Sequence, residues 1–230
     1  MNTLLRHFDT LRQVISLPRA DLCFDVRIHA NDIPAAYRQF TKPHPRYKLI
    51  RNKTIGVALI DLAHYPAAPA YLDAIQGKNR GAWHARRARA RGYLCTEIDR
   101  NDYVDDIHAI NTSLDVRQGR PMDRKYLDKV THYERLPHVD HYGVLNAEGR
   151  LVAYANIGRY GNFSAFSQLI GVRNNDGIMH LLIVEIVARL IERQRVRYVM
   201  YDTFFGAQSG MQNFKRIVGF EPYRVKYSLQ

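Results

Sequence analysis

Residues 178–192 read Ile-Met-His-Leu-Leu-Ile-Val-Glu-Ile-Val-Ala-Arg-Leu-Ile-Glu, the most apolar stretch of the chain. The stretch reads as the most apolar helix in the chain. Upstream, Tyr142–Leu145 and Arg150–Ile157 flank Asn-Ala-Glu-Gly, a hairpin signal with glycine in its turn. Tyr160-Gly161-Asn162 then turns the chain into a further strand at Phe163–Val172. Downstream, Val196–Tyr201 reads as a strand, Gln208–Ile217 as a helix and Tyr223–Leu229 as a final strand. Before the hairpin, Leu94–Asp99 alternates like a strand, and Asp102 can cap a helix running through Asp106, Ile107 and Ile110 into Thr112. A second short helix fits Asp123 to His132. From residue 94 the order is therefore strand, two helices, three strands, helix, strand, helix, strand. This is an α+β pattern, a mostly antiparallel sheet with helices packed on it.

The first 93 residues form a basic N-terminal region that extends this core at 94–230. Residues 1–54 resist reading, because Pro18, Pro34, Pro43 and Pro45 break any long helix. Residues 55–63, Ile-Gly-Val-Ala-Leu-Ile-Asp-Leu-Ala, look like a buried strand, and 70–91 read as one helix that Gly92 stops.

Composition narrows the class. The 230 residues are 46% hydrophobic and 24% charged, ordinary for a globular protein, with a mean hydropathy of −0.37. No run approaches the roughly 18 apolar residues of a membrane span, and the first residues lack the apolar core of a secretory signal. Two cysteines, Cys23 and Cys95, exclude a disulfide framework and a four-cysteine zinc site. The expectation is a protein of the reducing cytoplasm, without an integral membrane segment. The net charge is +12, and its distribution is uneven. Residues 1–93 hold 16 basic and 6 acidic side chains, against 18 and 16 in the remainder. That asymmetry points to a polyanionic partner.

The element order is that of the GNAT acyltransferase fold, and two segments sharpen the resemblance. Tyr71-Leu-Asp-Ala-Ile-Gln-Gly-Lys78-Asn-Arg80, with Arg86-Arg87 and Gly92 after it, is similar to the stretch that precedes the acyltransferase core in Fem-type and related GNAT proteins. Ser209-Gly-Met-Gln-Asn-Phe-Lys215-Arg-Ile-Val-Gly219-Phe220-Glu-Pro222 resembles their C-terminal segment, where Phe-Lys precedes a Gly-Phe turn into the last strand. Together they bracket residues 71–230.

The resemblance implies a donor site in the loop Val172-Arg173-Asn174-Asn175-Asp176-Gly177-Ile178. In GNAT enzymes this loop carries (Arg/Gln)-x-x-Gly-x-(Gly/Ala), whose N–H groups hold the coenzyme A pyrophosphate at a helix N-terminus. Here Arg173 fills the first position, Asp176 and Ile178 stand where the glycines belong, and Gly177 is offset by one. A carboxylate beside a pyrophosphate is unfavourable, so Asp176 reads as a helix N-cap. Lys215 stands where acetyl-coenzyme A enzymes usually place the tyrosine that protonates the departing thiolate. Lysine there is what Fem-type relatives show, many of which take their acyl group from aminoacyl-tRNA; it is equally compatible with a plain surface lysine. The acyl group is expected in the splay between the strands at 163–172 and 196–201. Asp202 is then a candidate base or a turn cap, and Tyr201 or Tyr160 could act through water.

Three further patterns carry chemistry. Lys78, Arg80, Arg86, Arg87, Arg89 and Arg91 crowd one short stretch with Trp83, the only tryptophan. They form a surface fit to track phosphates, or a solvated face over packed alanines. If all six met duplex phosphates, log K would fall with log salt at a slope near −5, from about 0.9 per contact. Arg117, Gln118 and Arg120 lie in a polar, glycine-containing loop that covers the acceptor in GNAT folds, or is an ordinary connection. His132, His138 and His141 match no zinc signature, and no metal is expected. The reading is an N-acyltransferase moving an acyl group from acyl-coenzyme A, or an aminoacyl group from aminoacyl-tRNA, to a small-molecule or peptide amine. The alternative is a silent GNAT-like module that binds RNA through residues 78–91.

Overall fold

The computed structural model describes residues 15–44, 51–117, 120–205 and 207–230. In chain order the elements are β1 (Arg19–Phe24), α1 (Asp32–Thr41), β2 (Ile55–Asp61), α2 (Ala68–Ala74), α3 (Gly81–Ala90), β3 (Leu94–Glu97) and α4 (Val104–Thr112). They continue with the ribbon β4 (Val116–Arg117) and β5 (Arg120–Pro121), then β6 (Val139–Leu145), β7 (Leu151–Arg159) and β8 (Phe163–Gly171). The last are α5 (Ile178–Arg193), β9 (Tyr198–Thr203), α6 (Ser209–Ile217) and β10 (Glu221–Leu229). Eight strands form one sheet in the order β1-β10-β2-β9-β8-β7-β6-β3. Only β1/β10 and β8/β9 run parallel, so the sheet is mostly antiparallel as expected. The N-terminal region is woven into it, with β2 lying between β9 and β10.

Alternation along the strands sorts the core into two faces. Tyr142, Ala153, Ala155 and Val199 bury against α5, which is covered by the sheet on one side and by α2 and α3 on the other. On the opposite face, α4 packs Ile107 and Ile110 on Leu151, Tyr154 and Ile170. There α1 packs Ile33 and Phe40 on Leu22, Phe24, Phe163 and Met200. The gap between α1 and α4 lies over the middle of the sheet.

Three sequence expectations are corrected. Residues 70–91 form two helices, because Gly77 (φ 115°) and Asn79 (φ 61°) adopt left-handed backbone between them. The helix expected over 123–132 is a single 3₁₀ turn, Arg124–Tyr126. Its would-be apolar face, Leu127 and Val130, remains exposed, so nothing pays for more turns. Asp102 does not cap α4 either: Asp99 caps the 3₁₀ turn that leads into it, accepting from the Asn101 N–H at 3.0 Å.

Candidate active site

The sheet opens where β8 and β9 part. They pair only through Phe163/Tyr198, Ser164/Val199 and Ala165/Met200, after which β8 continues towards α5 without further pairing to β9. Past that point Phe166 and Tyr201 face each other across the opening, ring centroids 5.6 Å apart.

The loop from β8 leads to an α5 N-terminus with no side-chain cap. Gly177, the residue before the helix, has φ 90°, and a Cβ there would stand 2.6 Å from the His84 carbonyl oxygen. The glycine therefore lets α3 dock directly on the start of α5. Small residues on α3, Gly81, Ala82, Ala85 and Ala88, make the approach possible from the other side. Asp176 does not cap α5: its carboxylate accepts from the Arg91 guanidinium and, at 2.8 Å, from the Tyr93 hydroxyl. Its charge is thus neutralised away from the helix end.

Beside the uncapped helix start is a cavity of about 600 Å³, lined by His84, Arg87, Asn174, Asn175, Gly177, Ile178, His180 and Phe214. His84 and His180 stack with centroids 4.2 Å apart, and Phe214 meets His180 edge-on at 4.8 Å. Burial, together with His84, pushes the His180 pKa down to about 4, and burial followed by Arg87 lowers that of His84. Both rings are therefore neutral at pH 7, and the His180 Nδ1 has no hydrogen-bond partner. Free helix N–H groups, the helix dipole and Arg87 make this end of the cavity electropositive, and such ends bind phosphate. Arg173 is exposed and outside the cavity wall.

Lys215 is buried at 2% exposure under the end of β9. Its Nζ donates to the Thr203 carbonyl at 2.7 Å and lies 4.7 Å from the Tyr201 ring centroid. Burial lowers its pKa to about 8, against the pull of Asp202. Tyr201 donates weakly to Met211 Sδ at 3.7 Å, and burial raises its pKa. Asp202 has left-handed backbone (φ 51°) and points outward to Lys53 Nζ at 3.2 Å. The cavity at α5 takes in Asn174, Asn175, Gly177 and Ile178 but none of Arg173, Lys215, Asp202 or Tyr201.

No protein-family model matches the sequence, and no curated protein matches it. Solved structures do match. FemX superimposes at a TM-score of 0.54 and 9% identity, covering 73% of this chain and 59% of that one. A conserved protein of unknown function from Bacteroides thetaiotaomicron gives 0.54 at 14% identity, over 73% and 56%. The C-terminal domain of a protein assigned as a lysylphosphatidylglycerol synthetase, from Agrobacterium fabrum, gives 0.50 at 15%, over 72% and 57%. The fold is GNAT-like and is shared with FemX. The chain spans less than two thirds of each of these structures.

Within the GNAT-like frame the basic helix divides in two. Arg91 pairs with Asp176 and Arg89 with Glu185, so both are neutralised inside the fold. Lys78, Arg80 and Arg86 are exposed with no carboxylate partner among the described residues, and Arg87 lies against Trp83 at 5.6 Å from its ring. Trp83 is half-buried while Ala82, Ala85 and Ala88 pack inward. Were this face to meet duplex phosphates, four contacts rather than six would set the salt slope at about −3.6. Measuring tRNA affinity at several salt concentrations checks that value, and a slope near zero contradicts it.

For the acceptor loop, Gln118 lies outside the described residues, and Arg117 and Arg120 are backbone partners in the β4/β5 ribbon. Sequence reasoning missed the His84–His180 contact, which joins α3 to α5. It also missed a second cavity, of about 400 Å³, between α1, the 3₁₀ turn at Arg100 and the segment Glu134–His138. His138, named above only as matching no zinc signature, lines it with Asp32, and Tyr160 forms part of its wall. His29, Asp32 and His138 place their ligand atoms within 4.8 Å of one another. The Asp32 N–H already donates to His29 Nδ1 at 3.2 Å, which occupies a lone pair that a metal would need.

Proposed function

We propose that the protein is an N-acyltransferase that draws an acyl or aminoacyl group from a phosphate-bearing carrier and transfers it to an amine. The observation that carries this reading is the uncapped start of α5 opening on a cavity lined by Arg87, with Asp176 neutralised by Arg91 and Tyr93. A phosphate of the carrier would accept from the first N–H groups of α5 and from Arg87. The acyl group would reach the β8/β9 opening past Phe166 and Tyr201. Lys215, holding the Thr203 carbonyl at that opening, would fix the end of β9 and present positive charge to a developing oxyanion.

Acyl-coenzyme A is the preferred donor, because the cavity suits a compact pyrophosphate. Aminoacyl-tRNA is the second reading, favoured by Lys78, Arg80 and Arg86 beside the same cavity. Titrating acetyl-coenzyme A into the protein by calorimetry tests the first. Arg87→Gln is expected to weaken binding about tenfold or more, as removal of a charge-assisted contact does. Arg89→Gln, whose partner is Glu185, is expected to leave it unchanged. Equal affinities for the two variants would contradict the placement of the phosphate. Saturation by tRNA alone, with no response to coenzyme A, would favour the aminoacyl donor, and charging the tRNA then separates a transferase from an RNA-binding module.

A further inference from the structure

We infer that the cavity between α1 and the 3₁₀ turn at Arg100 is the acceptor pocket, that it takes a primary amine bearing an anionic group, and that His141 Nε2 accepts the amine's proton there. The inference rests on the transfer reading above, but its evidence lies on the opposite face of the sheet.

A ladder of polar side chains crosses three strands at the cavity floor. His141 on β6, Asn156 on β7 and Gln168 on β8 are direct cross-strand partners in register. They point away from α5 because their neighbours Tyr142 and Ala155 point towards it. The Asn156 amide nitrogen donates to Gln168 Oε1, which leaves Asn156 Oδ1 to face His141 Nδ1 at 2.8 Å. An amide oxygen only accepts, so Nδ1 carries the ring proton and Nε2 is left with a bare lone pair. Asn156 is itself 6% exposed and is held in this orientation, as a positioning residue, by neighbours on both sides. His141 lines the cavity.

The groups around His141 are of both signs. Arg100 and Asp99 come from the 3₁₀ turn before α4, and Asp140 adjoins His141 on β6. Asp32 of α1, His138 and Glu134 face it across the cavity. Burial outweighs the carboxylates and lowers the His141 pKa, so the ring is neutral at pH 7. Arg100 is the cation that lines the cavity, and it has no carboxylate partner among the described residues. Its guanidinium sits 4.3 Å from the Tyr133 ring centroid, its Nη2 donates only to the Glu134 carbonyl at 3.2 Å, and its buried Nε has no acceptor. Asp99, its sequence neighbour, is held by Arg135. An ammonium group would settle towards Asp32 and His141, and a carboxylate or phosphate towards Arg100.

The chemistry balances. The ammonium gives one proton to His141 Nε2, and the freed amine attacks the carbonyl carbon of the acyl carrier, forming the C–N bond. The bond from that carbon to the carrier's sulfur or oxygen then breaks. The carrier leaves with the electron pair and takes up the second amine proton. Ser167, at the cavity wall, lies on the diverging part of β8 beside Phe166, so the pocket adjoins the opening where the acyl group is proposed.

The test uses the full chain labelled with ¹⁵N-histidine. Long-range ¹H–¹⁵N spectra at pH 7 are expected to show His141 neutral with Nδ1 protonated. An Nε2-protonated ring, or an imidazolium, would overturn the proposal. Asn156→Asp is expected to raise the His141 pKa by about 1 unit by placing a carboxylate on Nδ1, a change that mere support of the sheet would not produce. Glycine, O-phosphoethanolamine, ethylamine and acetate are then titrated against the Nε2 signal. Saturable shifts with glycine or phosphoethanolamine, about tenfold stronger than with ethylamine or acetate, are expected, and the better of the two names the anion. Arg100→Gln should abolish that advantage and Arg100→Lys restore part of it. Ethylamine binding as well as the zwitterions, or no shift with any probe, would overturn the assignment. Failure of coenzyme A and tRNA to bind at α5 while His141 responds would overturn the donor reading alone.

Discussion

Gly177→Ala is expected to destabilise the fold by about 2–4 kcal/mol and to remove donor binding with it. Two costs combine. A left-handed backbone penalises any side chain by roughly 1–2 kcal/mol, and Gly177 holds φ 90°. The new Cβ would also meet the His84 carbonyl oxygen at 2.6 Å, a backbone atom that cannot rotate aside. Relief requires α3 to lift from α5, which pulls His84 and Arg87 off the cavity. Gly149→Ala is the matched control: its φ is 76°, yet nothing lies within 4 Å of the added Cβ. It should cost only the backbone share. Urea unfolding of both variants measures the difference, which corresponds to about 5–15 °C in melting temperature for the full effect at Gly177. Equal losses in the two variants would show that α3 does not press on the start of α5.

Acid is expected to loosen the same junction, and His180→Phe to protect it. In the unfolded chain His180 takes up its proton below about pH 6.5, whereas in the fold it does so only near pH 4. Between those values the unfolded chain binds more protons, so stability is full above pH 6.5 and is lost as the pH falls towards 4. The shift corresponds to a loss on the order of 3 kcal/mol. His84, stacked on His180, is shifted in the same direction by burial and by Arg87. Phenylalanine keeps the stack between His84 and Phe214 and removes both the titrating proton and the partnerless Nδ1. Stability measured by urea at pH 7, 6, 5 and 4 should fall more gently in the variant. Parallel curves would place the acid sensitivity elsewhere, for instance at His138 or His141, which burial also shifts downward.

What was legible in the sequence follows from how local each signal is. The α5 helix and the β6–β7 hairpin announce themselves because burial on two sides, or a glycine turn between apolar runs, leaves a trace in adjacent residues. The Gly77 and Asn79 break was present in the sequence as residue types that accept left-handed backbone, but only tertiary docking of α3 on α5 makes the chain use it. Residues 123–132 carry helix-forming composition without any surface to bury Leu127 or Val130, so the helix fails. At the site, the loop 172–178 was found by its place before an apolar helix. The role of Asp176 was not, since Arg91 and Tyr93 reach it from a distant part of the chain. The His141–Asn156–Gln168 ladder depends on strand register, which a bulge between Asn156 and Ile157 resets on the β8 side. No spacing in the sequence encodes that.

The central claim is that a carrier phosphate sits on the start of α5. Hydrogen exchange of the backbone amides, followed with and without acetyl-coenzyme A and then with aminoacyl-tRNA, tests it most directly. The account predicts that one of these donors slows exchange at residues 177–181 together with 83–88. Protection confined to the outer basic segment at 78–86, with residues 177–181 unchanged under both donors, would contradict it and leave a nucleic-acid-binding surface on a GNAT-like fold.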